Sequence, residues 1–321
     1  MAARTEPGGV VALCGGVGGA KLAHGLARVV PAGTLSLIVN TGDDFAHLGL
    51  HVSPDLDTVT YTLAGLADKR RGWGRAGEGW RFMVALEALG GPAWFRLGDG
   101  DLALHVWRTH RLRGGATLSE VTAEVTERLG VGARLLPMSD DAVRTVVETD
   151  AGPLAFQDYF VRRACAPRVS GFRFRGAETA RPAPGVLAAL ADHGLRAVVI
   201  CPSNPFLSVD PILAVPGMRA AVRATAAPVV AVSPIVGGRA LKGPAAKIMG
   251  ELGLAVSAAT VAEHYAGLID GFVVDSADAD AVLGVPAIAL PTVMRTARDR
   301  ARLARAVLRF AARLPRRRAA A

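Results

Sequence analysis

Two stretches of the chain carry apolar runs with no polar alternation, each run closing on a polar loop. The first holds VVALC (Val10–Cys14) and LSLIV, the latter ending at Asn40; the second holds AVVIC, VVAVS, FVVDS and AIAL. A strand with one wet face alternates apolar and polar residues, whereas a strand covered on both faces does not, so these runs predict a parallel sheet. Helical patterns lie between them, KLAHGLARVV first, and the alternation predicts an α/β fold: a Rossmann-like open parallel sheet flanked by helices. That nucleotide-binding core spans residues 1–66 and 183–294. Residues 67–182 break the rhythm. WRFMVALEAL and LSEVTAEVTERL have helical period, and TVVETDAGPLAFQDYFV reads as two strands around a turn at Asp150 to Pro153. The block is too long for a loop and is expected to be an inserted mixed α+β subdomain that binds an acceptor.

Composition narrows the picture. Of 321 residues 51% are hydrophobic, enough for a large core. No apolar stretch approaches the roughly 18 residues that span a bilayer, and MAARTEPGG has no apolar secretion core, so a cytoplasmic protein with no membrane partner is expected. Cys14, Cys165 and Cys201 show no CxxC spacing and read as small buried thiols rather than metal or redox groups. The net charge is +9, yet the segment from Arg295 onward holds ten arginines and one acid, Asp299, so the remainder balances to zero. Leu303, Val307, Phe310 and Leu314 recur at helical spacing there. Residues 295–321 therefore read as a basic amphipathic helix docked on the body, with RLPRRRAAA frayed beyond it. Phe310 is the lone aromatic, which argues against nucleic acid as a partner.

The loops carry the chemistry. Gly15, Gly16, Gly18 and Gly19 follow the first strand, where backbone can approach a phosphate. A G-x-G-x-x-G frame begun at Gly16 meets Lys21 at its third glycine, and no Walker lysine-serine pair follows, so the loop is a phosphate cradle of neither standard type. Lys21 reads equally as a phosphate contact or an exposed helix lysine. NTGDDFAHLGLHVSPDLDT brings Asp43, Asp44, Asp55 and Asp57 close to that cradle, where carboxylates and a polyphosphate need Mg²⁺ between them. A helix cap for Asp55 or Asp57, or a ribose contact for Asp43 or Asp44, are the alternatives. CPSNPFLSVDPIL offers Ser203, Asn204 and Ser208; VSPIVGGRALKGPAAKIM offers Ser233, Gly237, Gly238, Lys242, Gly243 and Lys247. Asp99, Asp101, His105, Arg108, Asp140, Asp141 and Arg144 are polar positions in an apolar block. HExxH and GxSxG are absent, which leaves no covalent nucleophile to assign.

Taken in order, GGVGGAKLAHGL, NTGDD, SPDLDTVTYTLAG, LGDGDLALH, LLPMSDDAVRT, CPSNPFLSVDPIL and VSPIVGGRALKGPAAKIM resemble the 2-phospho-L-lactate transferase family of coenzyme F-420 biosynthesis. The resemblance reaches to about Met294 and leaves the basic tail outside. It implies transfer of a phospho-three-carbon acid (2-phospho-L-lactate, phosphoenolpyruvate or similar) from its guanosine diphosphate-activated form to the hydroxyl of the deazaflavin FO. GMP is released, the product is coenzyme F-420-0 or its dehydro form, and Mg²⁺ is required. The partners are then FO and the guanylated donor, and a homodimer is allowed. On this reading Gly15, Gly16, Gly18, Gly19 and Lys21 cradle the donor diphosphate. Ser203, Asn204, Gly237, Gly238 and Lys242 hold its nucleotide. Asp43, Asp44, Asp55 and Asp57 form the metal set, with Asp43 and Asp57 catalytic. Thr41, Asp43, Asp99 and Asp101 meet the acceptor. One departure stands out: family members commonly carry a basic residue in a GDRDL-like segment where this chain has Gly100, with Arg96 and Arg108 the substitutes at hand. A non-catalytic nucleotide-sugar-binding regulator on a related sheet is the competing reading; it explains the glycines but not the aspartates or the long middle block.

Overall fold

The computed structural model describes residues 8–317. Seven strands form one sheet: β1 (Val10–Cys14), β2 (Leu35–Val39), β3 (Arg134–Pro137), β4 (Ala197–Ile200), β5 (Val229–Val232), β6 (Gly271–Val274) and β7 (Ala287–Ala289). Their order is β7-β6-β5-β4-β1-β2-β3, and every pairing is parallel. The chain winds outward from β1 through β2 to β3, then crosses back to β4 and winds the other way. The reversal falls between β1 and β4, where Val10 pairs with Leu35 on one side and Ala197 on the other. Successive side chains of a strand point to opposite faces. Val11 and Leu13 enter one core, and Val10, Ala12 and Cys14 the other. Both faces are dry, which is why VVALC shows no alternation. Cys14 and Cys201 are buried free thiols, as expected; Cys165 is half-buried.

The sheet takes its edge strand β3 from inside the block expected to be a separate insertion. RLLP is four residues long, opens on an arginine and closes on a proline, a pattern too short to stand out as a strand. The rest of the block is mixed α+β. It holds a helix at Arg81–Ala88, α3 (Asp99–Arg113), α4 (Leu118–Arg128, opened by a Thr117–Glu120 capping box) and a separate antiparallel sheet of Arg144–Thr149, Gly152–Ala155 and Val169–Arg175.

Two helices depart from the sequence pattern at their ends. α1 (Gly16–Ala27) starts inside the glycine cluster rather than at Lys21. Glycine costs about 1 kcal/mol per helical position, so the first turn is invisible to propensity and is held by tertiary contact. The C-terminal α5 (Ala297–Ala311) buries Leu303, Ala304, Val307, Phe310 and Ala311 as its spacing predicts. It lies so close to α1 that a Cβ at Gly25 would collide with the Arg300 carbonyl.

The chain beyond α5 is not frayed as far as Arg317. Arg317 Nε donates to both Asp270 carboxylate oxygens at 2.8 Å. Its other nitrogens donate to the carbonyls of Val222, Arg223 and Leu268, and Arg316 donates to those of His193 and Leu195. Val222 and Arg223 end the helix Met218–Ala224, whose last carbonyls have no intrahelical partner. A planar five-donor guanidinium can satisfy several at once. Residues 318–321 lie outside the described residues. Arg317→Ala is expected to cost about 1–3 kcal/mol in urea unfolding, while Arg309→Ala on the exposed face of α5 stays within about 0.5 kcal/mol; equal effects would remove the anchor.

Candidate active site

In open α/β sheets the ligand crevice lies beyond the carboxyl ends of the strands, where the winding reverses. Here that point is the junction of β1 with β4, and the glycines close it. A Cβ at Gly15 would fall on the Asp55 carboxylate, one at Gly18 on the Pro202 carbonyl, and one at Gly19 on the Ser203 hydroxyl. Ser203 Oγ accepts from the Gly15 N–H at 3.1 Å and donates to the Gly15 carbonyl at 2.9 Å. Ser203 is thus a brace between the two central strands. Asn204 caps the wide turn Pro205–Val209 through Oδ1, and its Nδ2 is buried with no partner.

The acidic residues gather around Asn40, which is fully buried at the end of β2. Its Nδ2 donates to Asp43 Oδ1 at 3.1 Å, Asp55 Oδ2 at 2.9 Å and the Leu207 carbonyl at 3.2 Å, while its Oδ1 accepts from the Gly42 N–H at 2.8 Å. Asp55, in the first turn of α2 (Pro54–Leu63), reaches across to accept from the Gly16 N–H at 2.7 Å. The first N–H of α1 is therefore taken by a carboxylate, leaving Val17 and Gly18 as the open donors of that turn. Burial, then the Asp55 charge, pushes Asp43 well above the usual carboxylate range. Burial raises Asp55 to about 6 against the hydrogen bonds that oppose it, with Asp44 adding repulsion. Asp44 is held by Ser53 at 2.7 Å and His51 at 3.0 Å, yet its Oδ1 is buried without a partner, as is the Thr41 hydroxyl. Asp43, Asp44 and Asp55 thus repel one another, and Asp44 keeps one buried oxygen without a partner.

Asp57 stands apart from this set. Both its oxygens take the Arg108 guanidinium, and His105 lies 3.7 Å away. Asp57, Asp101 and His105 present ligand atoms within 4.8 Å of one another, a grouping that could hold a metal ion and that includes Asp57 of the expected metal set. The Arg108 ion pair also locks α2 to α3 through the same carboxylate, and burial raises Asp57 against the Arg108 charge. Asp101 accepts from the Tyr61 hydroxyl at 2.7 Å and so belongs to this lock. Asp99 accepts from the N–H groups of Arg81 and Phe82 at the start of the helix Arg81–Ala88.

The second glycine pair is also partly committed, since the Gly237 N–H donates to the Asp278 carboxylate. Gly238 follows in the same turn, and Lys242 crosses to the 69–75 segment, where it fills the space beside Gly72. Lys21 is half-buried rather than exposed. At Gly100 neither expected substitute is in place: Arg108 is locked to Asp57, and Arg96 lies over the Trp80 ring, 4.6 Å from its centroid. The space a side chain at Gly100 would enter is bordered by Arg75 Nη1 at 3.3 Å and the Glu78 carboxylate. Asn40, Ser53 and Arg75 were the residues sequence reasoning missed. Asn40 sat unremarked at the head of NTGDD, and nothing local marked the other two.

The buried acids thus stand beside the open end of a helix at the switch point of a Rossmann-like parallel α/β sheet, the place where such folds bind ligand. The chain belongs to the family described as 2-phospho-L-lactate transferase CofD, which residues 10–286 match. It is 45% identical over 314 residues to the phosphoenolpyruvate transferase of Streptomyces avermitilis, covering 94% of this chain and 98% of that protein. It is 42% identical over 300 residues to the phosphoenolpyruvate transferase of Thermobifida fusca, covering 89% and 92%. A crystal structure of a UPF0052-family protein from Bacillus halodurans shares the fold at TM-score 0.60 and 17% identity, over 94% of this chain and 99% of that one. No helix among the described residues is long and apolar enough to cross a membrane.

The acid pair sets a pH dependence. The folded carboxyl of Asp55 holds its proton more tightly than the unfolded value of 3.8, up to about 6. The folded state therefore binds more protons across that window, and the stability of the metal-free protein falls as pH rises through it. Asp55→Asn is expected to flatten the slope between about pH 4 and 6 in urea titrations run with chelator; an unchanged slope would place the titration elsewhere.

Proposed function

We propose that the chain transfers a phospho-three-carbon acid from a guanosine diphosphate-activated donor to the side-chain hydroxyl of FO, with phosphoenolpyruvate as the transferred acid. The observation that carries this reading is the meeting of Asp43 and Asp55 on Asn40 directly against the Gly16 N–H, which sets buried carboxylates beside the open donors of α1. The phosphoenolpyruvate transferases of Streptomyces avermitilis and Thermobifida fusca, to which the chain is similar, support the acid. The reading places this enzyme in the pathway to coenzyme F-420.

In this reaction the FO hydroxyl oxygen attacks the phosphorus that bears the acid. The bond from that phosphorus to the GMP phosphate oxygen breaks, GMP leaves with its electron pair, and the hydroxyl proton is lost. Such transfers need positioning and charge neutralisation more than covalent help. Asp43, with Asp44 and Asp55, would hold Mg²⁺, which supplies positive charge to the phosphate oxygens when bound. Asp43 is the carboxylate placed to orient the attacking hydroxyl, whose proton is lost to solvent as the new phosphorus–oxygen bond forms. The Val17 and Gly18 N–H groups face the diphosphate. The buried Nδ2 of Asn204 and the hydroxyl of Thr41 are free to bond substrate. The Asp57–Arg108 lock holds α2 to α3 and so keeps Asp55 in place.

The purified protein is to be mixed with FO, Mg²⁺ and each guanylated donor, and followed for GMP and the phosphodiester by mass spectrometry. Turnover is expected, highest with the enolpyruvyl donor. Asp43→Asn should lower kcat by about a hundredfold or more with the fold kept. Binding of nucleotide without product from any donor would favour a non-catalytic regulator instead.

A further inference from the structure

The far end of the sheet carries a cavity that the transfer reaction does not use. Its volume is about 240 Å³, and His24, Ala27, Leu35, Leu63, Val131 and Ala133 are among its walls. Leu35 begins β2 and Ala133 precedes β3. The cavity therefore lies at the amino ends of these strands, whereas the crevice lies at the carboxyl ends. His24 and Ala27 belong to the last turn of α1, and Leu63 ends α2. Burial first, then Arg300, Arg28 and Lys69, pushes His24 down to about 4, so its imidazole is uncharged at neutral pH. The His24 Nδ1 is buried with no hydrogen-bond partner. Arg28 is then the one charged wall of the cavity. It also lines a second hollow of about 280 Å³, whose other walls are Ala297, Arg298, Ala301 and Arg305 of α5. Positions 297, 301 and 305 share one helix face; the small side chains at 297 and 301 keep the hollow open. The only acid of α5, Asp299, is committed to the Thr296 cap. Among the described residues, Arg28, Arg298 and Arg305 have no acid within 4.0 Å.

We propose that the cavity and the hollow form one binding site for a small amphipathic anion, an alkyl or aryl body that ends in a carboxylate or phosphate. Arg28 is a wall of both spaces, so the body fills the cavity while the anionic end meets Arg28, Arg298 and Arg305. Apolar cavities of about 150 Å³ already take a benzene-sized molecule, and small-molecule sites run from about 300 to 1,000 Å³ with a few polar groups that fix orientation. The cavity exceeds the first size, and the two spaces together reach the second. Guanidinium forks match the paired oxygens of a carboxylate or phosphate. An inorganic anion leaves the cavity unfilled, and a neutral apolar molecule leaves the arginines without a partner; a ligand with both parts meets both. The His24 Nδ1 has one hydrogen bond to offer the body. α5 lies beyond residues 10–286 that match the family, and the site contains none of the residues assigned to the transfer reaction.

The test is calorimetric titration and thermal unfolding of the full chain at constant ionic strength with acetate, butanoate, hexanoate, octanoate, octyl phosphate and octanol. Affinity is expected to rise about three- to fourfold per added methylene and to level off once the cavity is full. Octanoate and octyl phosphate should raise the Tm by a few degrees, and acetate and octanol should bind about tenfold more weakly or less. Arg298→Gln and Arg305→Gln should each weaken octanoate by about fivefold or more. Ala32→Trp, at an exposed wall of the cavity, should make the affinity level off at a shorter chain. Arg309→Gln, on the exposed face of α5, is the control and should change neither. All four substituted positions are exposed, and the ligand-free Tm checks that each variant folds. Equal binding of acetate and octanoate would reduce the arginines to a plain anion surface and overturn the proposal. An octanoate affinity indifferent to Ala32→Trp, or no binding of octanoate, would overturn it too. So would sedimentation with phosphatidylglycerol vesicles without binding of monomeric octanoate, which would make this a face for lipid headgroups.

Discussion

The carboxamide of Asn40 is the constraint on which the crevice depends. It sits at the end of β2 with no exposure, and a buried amide must satisfy both its ends. It does so by joining four parts of the chain: the Gly42 turn, Asp43, Asp55 on α2, and the Leu207 carbonyl in the segment after β4. Through Asp55 the same network holds the first N–H of α1. Both sides of the switch point are thus cross-linked by one side chain. A neutral amide is the group that allows this. It donates to two carboxylates that would otherwise repel, without cancelling their charge as an arginine would. Asp57 shows the contrast, since its partner is the charged Arg108 guanidinium. The sequence NTGDD looks like an acidic motif, and its controlling residue is the uncharged one.

Burial raises Asp43 and Asp55, and the charge of Asp44 beside them adds to the rise. Among the described residues neither Asp43 nor Asp55 has a cation within 4.0 Å, although ion pairs are abundant elsewhere, from Arg108 with Asp57 to Arg317 with Asp270. Separation of unpaired charge costs stability, and proteins retain such costs at sites that bind or react. The acids around Asn40 are such a place, since hydrogen bonds to a neutral amide hold them together without removing their repulsion.

The parts of the fold that follow from burial on both faces were legible. VVALC, LSLIV, AVVIC, VVAVS, FVVDS and AIAL all become strands of one parallel sheet, because apolar runs bounded by polar loops have few other solutions. β3 was not legible, since RLLP is a short edge strand whose place is set by its neighbour β2 rather than by its own pattern. The N-terminal turn of α1 was hidden by its own composition. Arg317 read as part of a frayed tail because its partners, the carbonyls at 222, 223 and 268, are far away in sequence. The site was half legible for the same reason. Spacing put four aspartates near one turn, but only three-dimensional packing ties Asp43 and Asp55 to Asn40, sets Asp57 against Arg108 and His105, and brings Asp99 to a helix start.

The glycine cluster is where sequence and structure differ most usefully. A run such as GGVGG invites a single explanation, backbone approaching phosphate. Three of its members have a more immediate cause: Asp55, Pro202 and Ser203 occupy the volume a Cβ would need at Gly15, Gly18 and Gly19. The absence of side chains lets β1, β4 and α2 converge within hydrogen-bonding reach, and the Gly15 and Gly16 N–H groups are consumed in that convergence. What is left open at the head of α1 is the next pair of N–H groups, those of Val17 and Gly18. A Rossmann-like sheet that spends its first glycines on internal packing therefore presents its open backbone donors one step farther along the first helix than the motif points.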